Sequence, residues 1–376
     1  MTKHTQNTTV SGKIRACGLG IPFDGKSGTF NAITDVSGVE VGYCTLIKGD
    51  GALVVGEGPI RTGVTAILPR GKQSVTTPVF AGYHSLNGNG EMTGLLWVEE
   101  SGVCDGPITI TNTHSCGAVR DATIEWIVKQ QPQKTDAWPL PITGETFDGN
   151  LNDINGFHVK PEHVFEAIDS AAGGAIELGS VGGGTGMICY DFKGGNGSAS
   201  RIVNINDQKY TIGLFVQSNF GMRRELVIAG IPIGRHIKGN EVRTTPAGSI
   251  IAVAATDAPL LPHQLKRLAR RVSLGMARSG SISHSGSGDI FIALSTANKE
   301  ALVSNSSLTN ITCLNNDSLD PIFEAVVQAT DEAIIDSMIA NQTMIGRDGI
   351  TAIALPHERV TELLASHGVL AHTESG

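Results

Sequence analysis

In TTPAGSIIAVAATDAP, residues 244–259, Ser249 stands between a small-residue turn and an apolar run that a valine would extend better. A serine at such a place is ordinarily a turn or strand-edge residue. If the peptide bond before it is cut, however, Ser249 begins a new chain and carries a hydroxyl and a free α-amine on one residue. An α-amine titrates at about 7.7–8.0 in model peptides, so a modest depression makes it a usable general base at neutral pH. The small residues Ala247 and Gly248 ease the strained geometry that self-cleavage requires.

A second stretch, SISHSGSGDIF, residues 281–291, supplies partners. If it is extended, its two-residue period puts Ser283, Ser285, Ser287 and Asp289 on one face and His284 on the other. Asp289 then orients Ser287, whose hydroxyl passes a proton toward Ser249. The competing arrangement is a triad of Ser249, His284 and Asp289, which the same parity disfavours.

Stepwise runs of β-type residues must position these groups. VEVGYCTLI, VTAILPRG, PITITNTH, GMICYDF, RIVNI, YTIGLFVQS and ELVIAGI are bounded by Gly, Asn, Asp and Pro, as strands joined by turns are. Helical segments are expected over 162–178, over 262–277, where Leu265, Leu268, Val272 and Met276 form a stripe, and over 320–341, which opens on Asp320-Pro321 as a cap and first-turn pair. The patch SNSSLTNITCLNNDS, 304–318, reads as a surface loop or a weak strand connection. No repeat and no linker divides the 376 residues, so one α/β domain is expected.

Composition narrows the function. A net charge of −8 with no basic run argues against a nucleic-acid partner. No apolar stretch approaches the ~20 residues of a membrane span, and MTKHTQNTTVSGK lacks the apolar core of a signal peptide, so a soluble, cytoplasmic protein is expected. Six scattered cysteines without C-x-x-C spacing indicate neither a zinc site nor a disulfide framework.

Two motifs point elsewhere. GIPFDGKS, residues 20–27, matches G-x-x-x-x-G-K-[ST], which raises a nucleotide-binding module as a rival from another class. Pro22 lies inside this loop, the preceding SGKIRACGL is a poor strand and GTFNAITDVSG a poor helix, whereas phosphate binding needs a helix N-terminus there. SVGGGTGM, 180–187, resembles the loop of tubulin-like GTPases but runs into ICYDF, a strand, so close backbone passage explains its glycines.

The set PAGSIIAVAATDAPL, SHSGSGDIFIALSTAN, NGNGEMTG, NAITDVSGVEVG, TNTHSCGAVRDA, LNDINGFH and GSVGGGTGM, spread over residues 15–355, resembles the self-processing aminopeptidase family of L-aminopeptidase/D-amidase/D-esterase and the β-peptidyl aminopeptidases. The resemblance implies a four-layer αββα sandwich, like that of N-terminal nucleophile hydrolases but differently connected. It also implies cleavage between Gly248 and Ser249 into subunits 1–248 and 249–376, assembly as a homotetramer, and no cofactor or metal. Ser249 corresponds to the nucleophile, and Ser287 with Asp289 to its supporting pair, although relatives often carry glutamate at the latter. Asn219 corresponds to the oxyanion-stabilising asparagine; its plainer reading is a turn residue before Phe220-Gly221. In GETFDGNLNDINGFH, 144–158, Phe147 stands where one branch has an aromatic hydroxyl, so here it is assigned an apolar wall. Glu145 is a candidate carboxylate for the substrate's ammonium group. The expected substrates are short peptides, amides or esters. Nylon-oligomer-type amide hydrolysis and acyl transfer are the rival chemistries on the same scaffold.

Overall fold

Apolar runs assemble into two main sheets whose central strands are buried on both faces, besides two small two-stranded ones, Ile188–Cys189 with Phe192–Lys193 and Met344–Ile345 with Thr351–Ala352. The computed structural model describes residues 6–72, 77–246 and 248–370. Ala247, expected to ease the turn, lies outside the described residues, as do residues 1–5 of the N-terminal stretch.

The strands in chain order are β1 (Glu40–Lys48), β2 (Ile60–Leu68), β3 (Val79–Gly88), β4 (Val103–Cys104), β5 (Ile108–Asn112), β6 (Ile142–Thr146), β7 (Ile188–Cys189), β8 (Phe192–Lys193), β9 (Gly195–Ile205), β10 (Gln208–Asn219), β11 (Gly248–Thr256) and β12 (Ser287–Ser295). One sheet has the order β1-β2-β5-β6 and the other β4-β3-β12-β11-β10-β9. Helices α1 (Cys116–Lys129) and α2 (Pro161–Asp169) cover the outer face of the first. Helices α3 (Pro262–Arg278) and α4 (Asp320–Ile339) cover the outer face of the second. Between the sheets, Ile67, Ile108, Ile110 and Ile142 pack on Phe215, Ile251, Val253 and Ile292. The layers are therefore αββα. Within the larger sheet β11 and β12 run parallel, and α3 supplies the crossover that such a pair needs.

The α3 stripe is buried as its spacing requires, with Leu265, Leu268 and Val272 fully covered and Met276 nearly so. Other elements differ from expectation. The helix expected over 162–178 stops at Asp169, because the following backbone pairs with β1 through reciprocal Val41–Ala172 hydrogen bonds of 3.0 and 3.1 Å. ELVIAGI is not a strand; Ile228 and Ile231 close a tight turn on each other. GMICYDF is split into β7 and β8 by Tyr190 and Asp191, both in the left-handed region at φ 49° and 58°. Asp320 opens α4 with Pro321 in the first turn, but Leu319 occupies the cap position and no side chain caps the helix. Residues 304–318 form the expected exposed loop, ending in a short 3-10 turn at Asn316–Ser318.

A buried ion pair fastens the N-terminal segment across the larger sheet. Arg15 donates to Asp336 on α4 at 2.9 and 2.7 Å, and to the carbonyls of Phe30, Asn31 and Ser198. Both side chains are almost wholly buried, so removing one leaves an uncompensated charge. Asp336→Ala should cost about 3–5 kcal/mol, read as an earlier urea midpoint, and an unchanged midpoint would contradict this role for the pair.

Candidate active site

The site forms where β10 ends and β11 begins, with Asn219 opposite Ser249 in antiparallel register. Glycine is required at position 248. Its φ is 156°, and a Cβ there would collide with the Asn219 carbonyl and lie 2.6 Å from Phe220 Cα. The sheets also meet closely here, since a side chain on Gly144 of β6 would press on Ile251 of β11 at 3.2 Å. This approach brings the Phe147 N–H, just past β6, to 3.4 Å from Ser249 Oγ. Among the described residues that long contact is the hydroxyl's hydrogen bond.

The orientation of the Asn219 amide follows from its partners. Its Oδ1 accepts from the Ile188 N–H and from Arg243 Nη2, both at 2.9 Å, while its Nδ2 donates to the Phe147 carbonyl at 2.8 Å. A flipped amide would turn NH2 against two donors, so the geometry allows one orientation. The second Nδ2 hydrogen remains for the cleft that Asn219 lines.

Ser287 and Asp289 are preassembled. Ser287 donates to Asp289 Oδ1 at 2.6 Å, and Ser283 makes a short bond to Oδ2. Burial pushes the Asp289 carboxyl above its ordinary range, with these hydroxyl bonds and His284 opposing the rise. Ser283 does not reach Asp289 through strand parity as expected, because β12 begins only at Ser287 and Ser283 sits in a loop at φ 53°. His284 bonds Glu225 at 2.8 Å, away from Ser249. Ser287 is level with Gly248 and Asp289 with Ile250. Ile250 and Phe291 face the helix layer, whereas Ile251 and Ile290 face the other sheet. By alternation, the Ser249 side chain points between the sheets and Ser287 and Asp289 point the other way. The expected hydroxyl-to-hydroxyl relay is therefore not assembled; the pair adjoins the Gly248–Ser249 peptide instead.

Ser249 lies on a cleft of about 530 Å3 lined also by Glu145, Phe147, Asn219, Arg243 and Gly248. Glu145 is buried in β6, where it accepts the Glu91 N–H at 2.9 Å and a short bond from Thr113. Burial raises its carboxyl pKa, partly offset by those two bonds. Phe147 is 42% exposed on the cleft wall, and its peptide N–H adds a donor that its apolar side chain did not announce. Thr113, the Glu91 N–H and Arg243 were also missed. NGNGEMTG marked the Gly90-Glu91 stretch, and TNTHS marked Thr113. Arg243, a lone arginine in EVRTT, carried no signal.

The two glycine-rich motifs have structural work. After GIPFDGKS comes no helix, and the Lys26 carbonyl pairs with the Ile202 N–H at 2.7 Å. In SVGGGTGM, the Gly182 and Gly183 N–H groups are used by Thr45 and Thr65. Neither loop is built to receive a phosphate. Among the described residues no group of three His, Cys, Asp or Glu is placed to hold a metal, the six cysteines are unpaired, and no helix is long and apolar enough to cross a membrane.

Comparison with known proteins bears on the family and the fold. The chain is 51% identical to the β-peptidyl aminopeptidase BapA of Sphingosinicella microcystinivorans, over 95% of this chain and 93% of that one. Its fold matches the L-aminopeptidase D-Ala-esterase/amidase of Ochrobactrum anthropi, described as a prototype of the serine aminopeptidases and a variant of the Ntn hydrolase fold, with a TM-score of 0.90 at 46% identity, covering 95% of this chain and 99% of that one. It also matches a Burkholderia sp. β-aminopeptidase with a TM-score of 0.86 at 42% identity, covering 94% and 99%. With residues 31–352 matching the family as well, this chain belongs to peptidase family S58.

Proposed function

We propose that the protein is a serine aminopeptidase that cuts its own chain between Gly248 and Ser249 and then removes N-terminal residues from short peptides, amides or esters. The observation that carries this reading is the cleft itself, which holds a serine at the mouth of a buried strand, two N–H donors beside it and a buried carboxylate on the same wall.

In self-cleavage, Ser249 Oγ attacks the Gly248 carbonyl carbon and the peptide C–N bond breaks. An ester remains, and the Ser249 nitrogen takes up the proton as an amine. Water then hydrolyses the ester, leaving subunits 1–248 and 249–376. In peptide hydrolysis the same hydroxyl attacks the scissile carbonyl, and the freed α-amine of Ser249 takes its proton and passes it to the leaving nitrogen or oxygen as the scissile bond breaks. Ser287, held by Asp289, adjoins that nitrogen and keeps it oriented. Asn219 Nδ2 and the Phe147 N–H receive the developing oxyanion. Glu145 holds the substrate's ammonium group, which restricts the enzyme to free N-termini. The acyl-enzyme is released by water, and the reading requires no cofactor.

The names of the relatives favour β-amino as well as α-amino N-terminal residues. A homotetramer of cleaved chains is the assembly that the family resemblance implies. The charge of −8 without a basic run disfavours nucleic-acid and anionic membrane partners.

Purified protein should run as two bands on a denaturing gel, the smaller beginning Ser-Ile-Ile-Ala-Val, and Ser249→Ala should give one folded, inactive band. An intact single chain with full activity would refute the mechanism. In matured enzyme, Ser287→Ala or Asp289→Asn should lower kcat by on the order of 10², while His284→Ala should leave turnover near that of the parent; loss of turnover in His284→Ala alone would restore the histidine triad. For Glu145, whose carboxyl titrates above the ordinary range, KM for free-amine substrates should rise as the pH falls through that raised value, because the protonated acid no longer pairs with ammonium. Glu145→Gln should raise KM at neutral pH and remove this acid limb, and a KM profile that is the same in both proteins would exclude the assignment.

A further inference from the structure

Arg243 lies on the wall of the cleft with its side chain almost wholly buried. Its guanidinium has no carboxylate within ion-pair distance among the described residues, and its Nε and Nη1 have no hydrogen-bond partner there. Its Nη2 bonds both oxygens of a single residue, Asn219 Oδ1 at 2.9 Å and the Asn219 carbonyl at 3.2 Å. The Arg243 N–H donates to Asp191 Oδ1 at 3.1 Å, and the same carboxylate acts on the guanidinium through space without forming an ion pair with it.

A buried cation without a paired anion is costly, and a guanidinium cannot relieve that cost by losing its proton. Asp191 offsets part of that cost through space, while the direct hydrogen bonds of the head go to one neighbouring residue, Asn219. A hydrogen bond from a cation to an amide oxygen draws electron density toward that oxygen and leaves the amide N–H groups better donors, an effect strengthened where water is excluded. The Ile188 N–H shares the same oxygen, so orientation and polarisation are supplied together.

We propose that Arg243 is the positioning residue of the oxyanion site: it locks the Asn219 amide with Nδ2 toward the cleft and places a fixed positive charge behind the atoms that receive the oxyanion. This inference rests on the reading that Asn219 holds the oxyanion. Arg243 touches neither the substrate carbonyl nor Ser249 in this scheme and acts through Asn219. Both self-cleavage and peptide hydrolysis pass through an oxyanion, so both depend on it.

A double-mutant cycle tests the proposal, using the full chain and an amino-acid p-nitroanilide, with kcat and KM measured on matured protein and the self-cleavage rate followed on gels. Arg243→Met should lower kcat by on the order of 10² with KM within about twofold, and Arg243→Lys, which keeps the charge, should recover at least about tenfold of that loss. In the Asn219→Ala background the same Arg243→Met change should cost less than about threefold, because the group it acts through is gone. If Asn219→Ala itself leaves kcat unchanged, the oxyanion assignment fails and this inference with it. If Asn219→Ala is impaired but Arg243→Met retains parental kcat, alters only KM, or adds its full effect to Asn219→Ala, the inference alone is overturned. Where Arg243→Met melts without a cooperative transition, Arg243→Gln replaces it in the same cycle; where it folds but matures too slowly for kcat, the same comparisons are made on the self-cleavage rate.

Discussion

Close packing of β6 on the start of β11 governs the whole site. At ordinary face-to-face spacing, side chains fill the gap between sheets, and Phe147 could not place its peptide N–H beside Ser249. Here Gly144 omits a side chain where β6 packs on Ile251 of β11, and Gly248 omits one against Asn219 and Phe220 within its own sheet. The Gly182–Gly184 turn lies in the same gap, where a Cβ on Gly183 would strike Gln217 and meet the Ile110 carbonyl at 2.6 Å. The glycine-rich sequence thus serves close approach near the site rather than loop freedom alone.

Convergence also decides the electrostatics. Glu145, Asp289 and Arg243 are drawn into the buried region, yet each meets a different environment. Glu145 faces the cleft and keeps two donors, so its carboxylate can serve as an anion despite the rise caused by burial. Asp289 is enclosed by hydroxyls behind the strand and acts through Ser287. Arg243 has an amide rather than a carboxylate for a partner. Three charges of ordinary residue type acquire separate tasks because burial and hydrogen bonding differ over a short distance.

The strand pairing divides the chemistry between the two faces of one sheet. The Ser249 hydroxyl faces the inter-sheet cleft with the Asn219 amide and the Phe147 N–H, and Ser287 and Asp289 lie on the helix side, level with Gly248 and Ile250. Nucleophile and base would then belong to one residue reached from opposite faces, which fits a hydrolase whose serine carries its own amine. His284 is bonded to Glu225 rather than to Ser249 or Asp289.

Much of this was legible in sequence wherever the information is local. The α3 stripe, the buried β11 run and the shared face of Ser287 and Asp289 follow from periods of 3.6 and 2 within one segment, whereas His284 lies before β12 and is placed by its bond to Glu225. Unusual words such as PAGSIIAVAATDAPL identified the family, and with it Ser249, Asn219 and Glu145. Tertiary structure alone decided which sheet face each side chain occupies relative to a neighbouring strand, because register between distant segments is set by packing of both. It also decided that Arg243 meets Asn219, that the Phe147 backbone rather than its ring faces Ser249, and that the helix from Pro161 ends at Asp169 where its chain is taken up by β1. Each depends on contacts between segments far apart in the chain, and neither the spacing nor the type of the residues involved encodes which partner they will find.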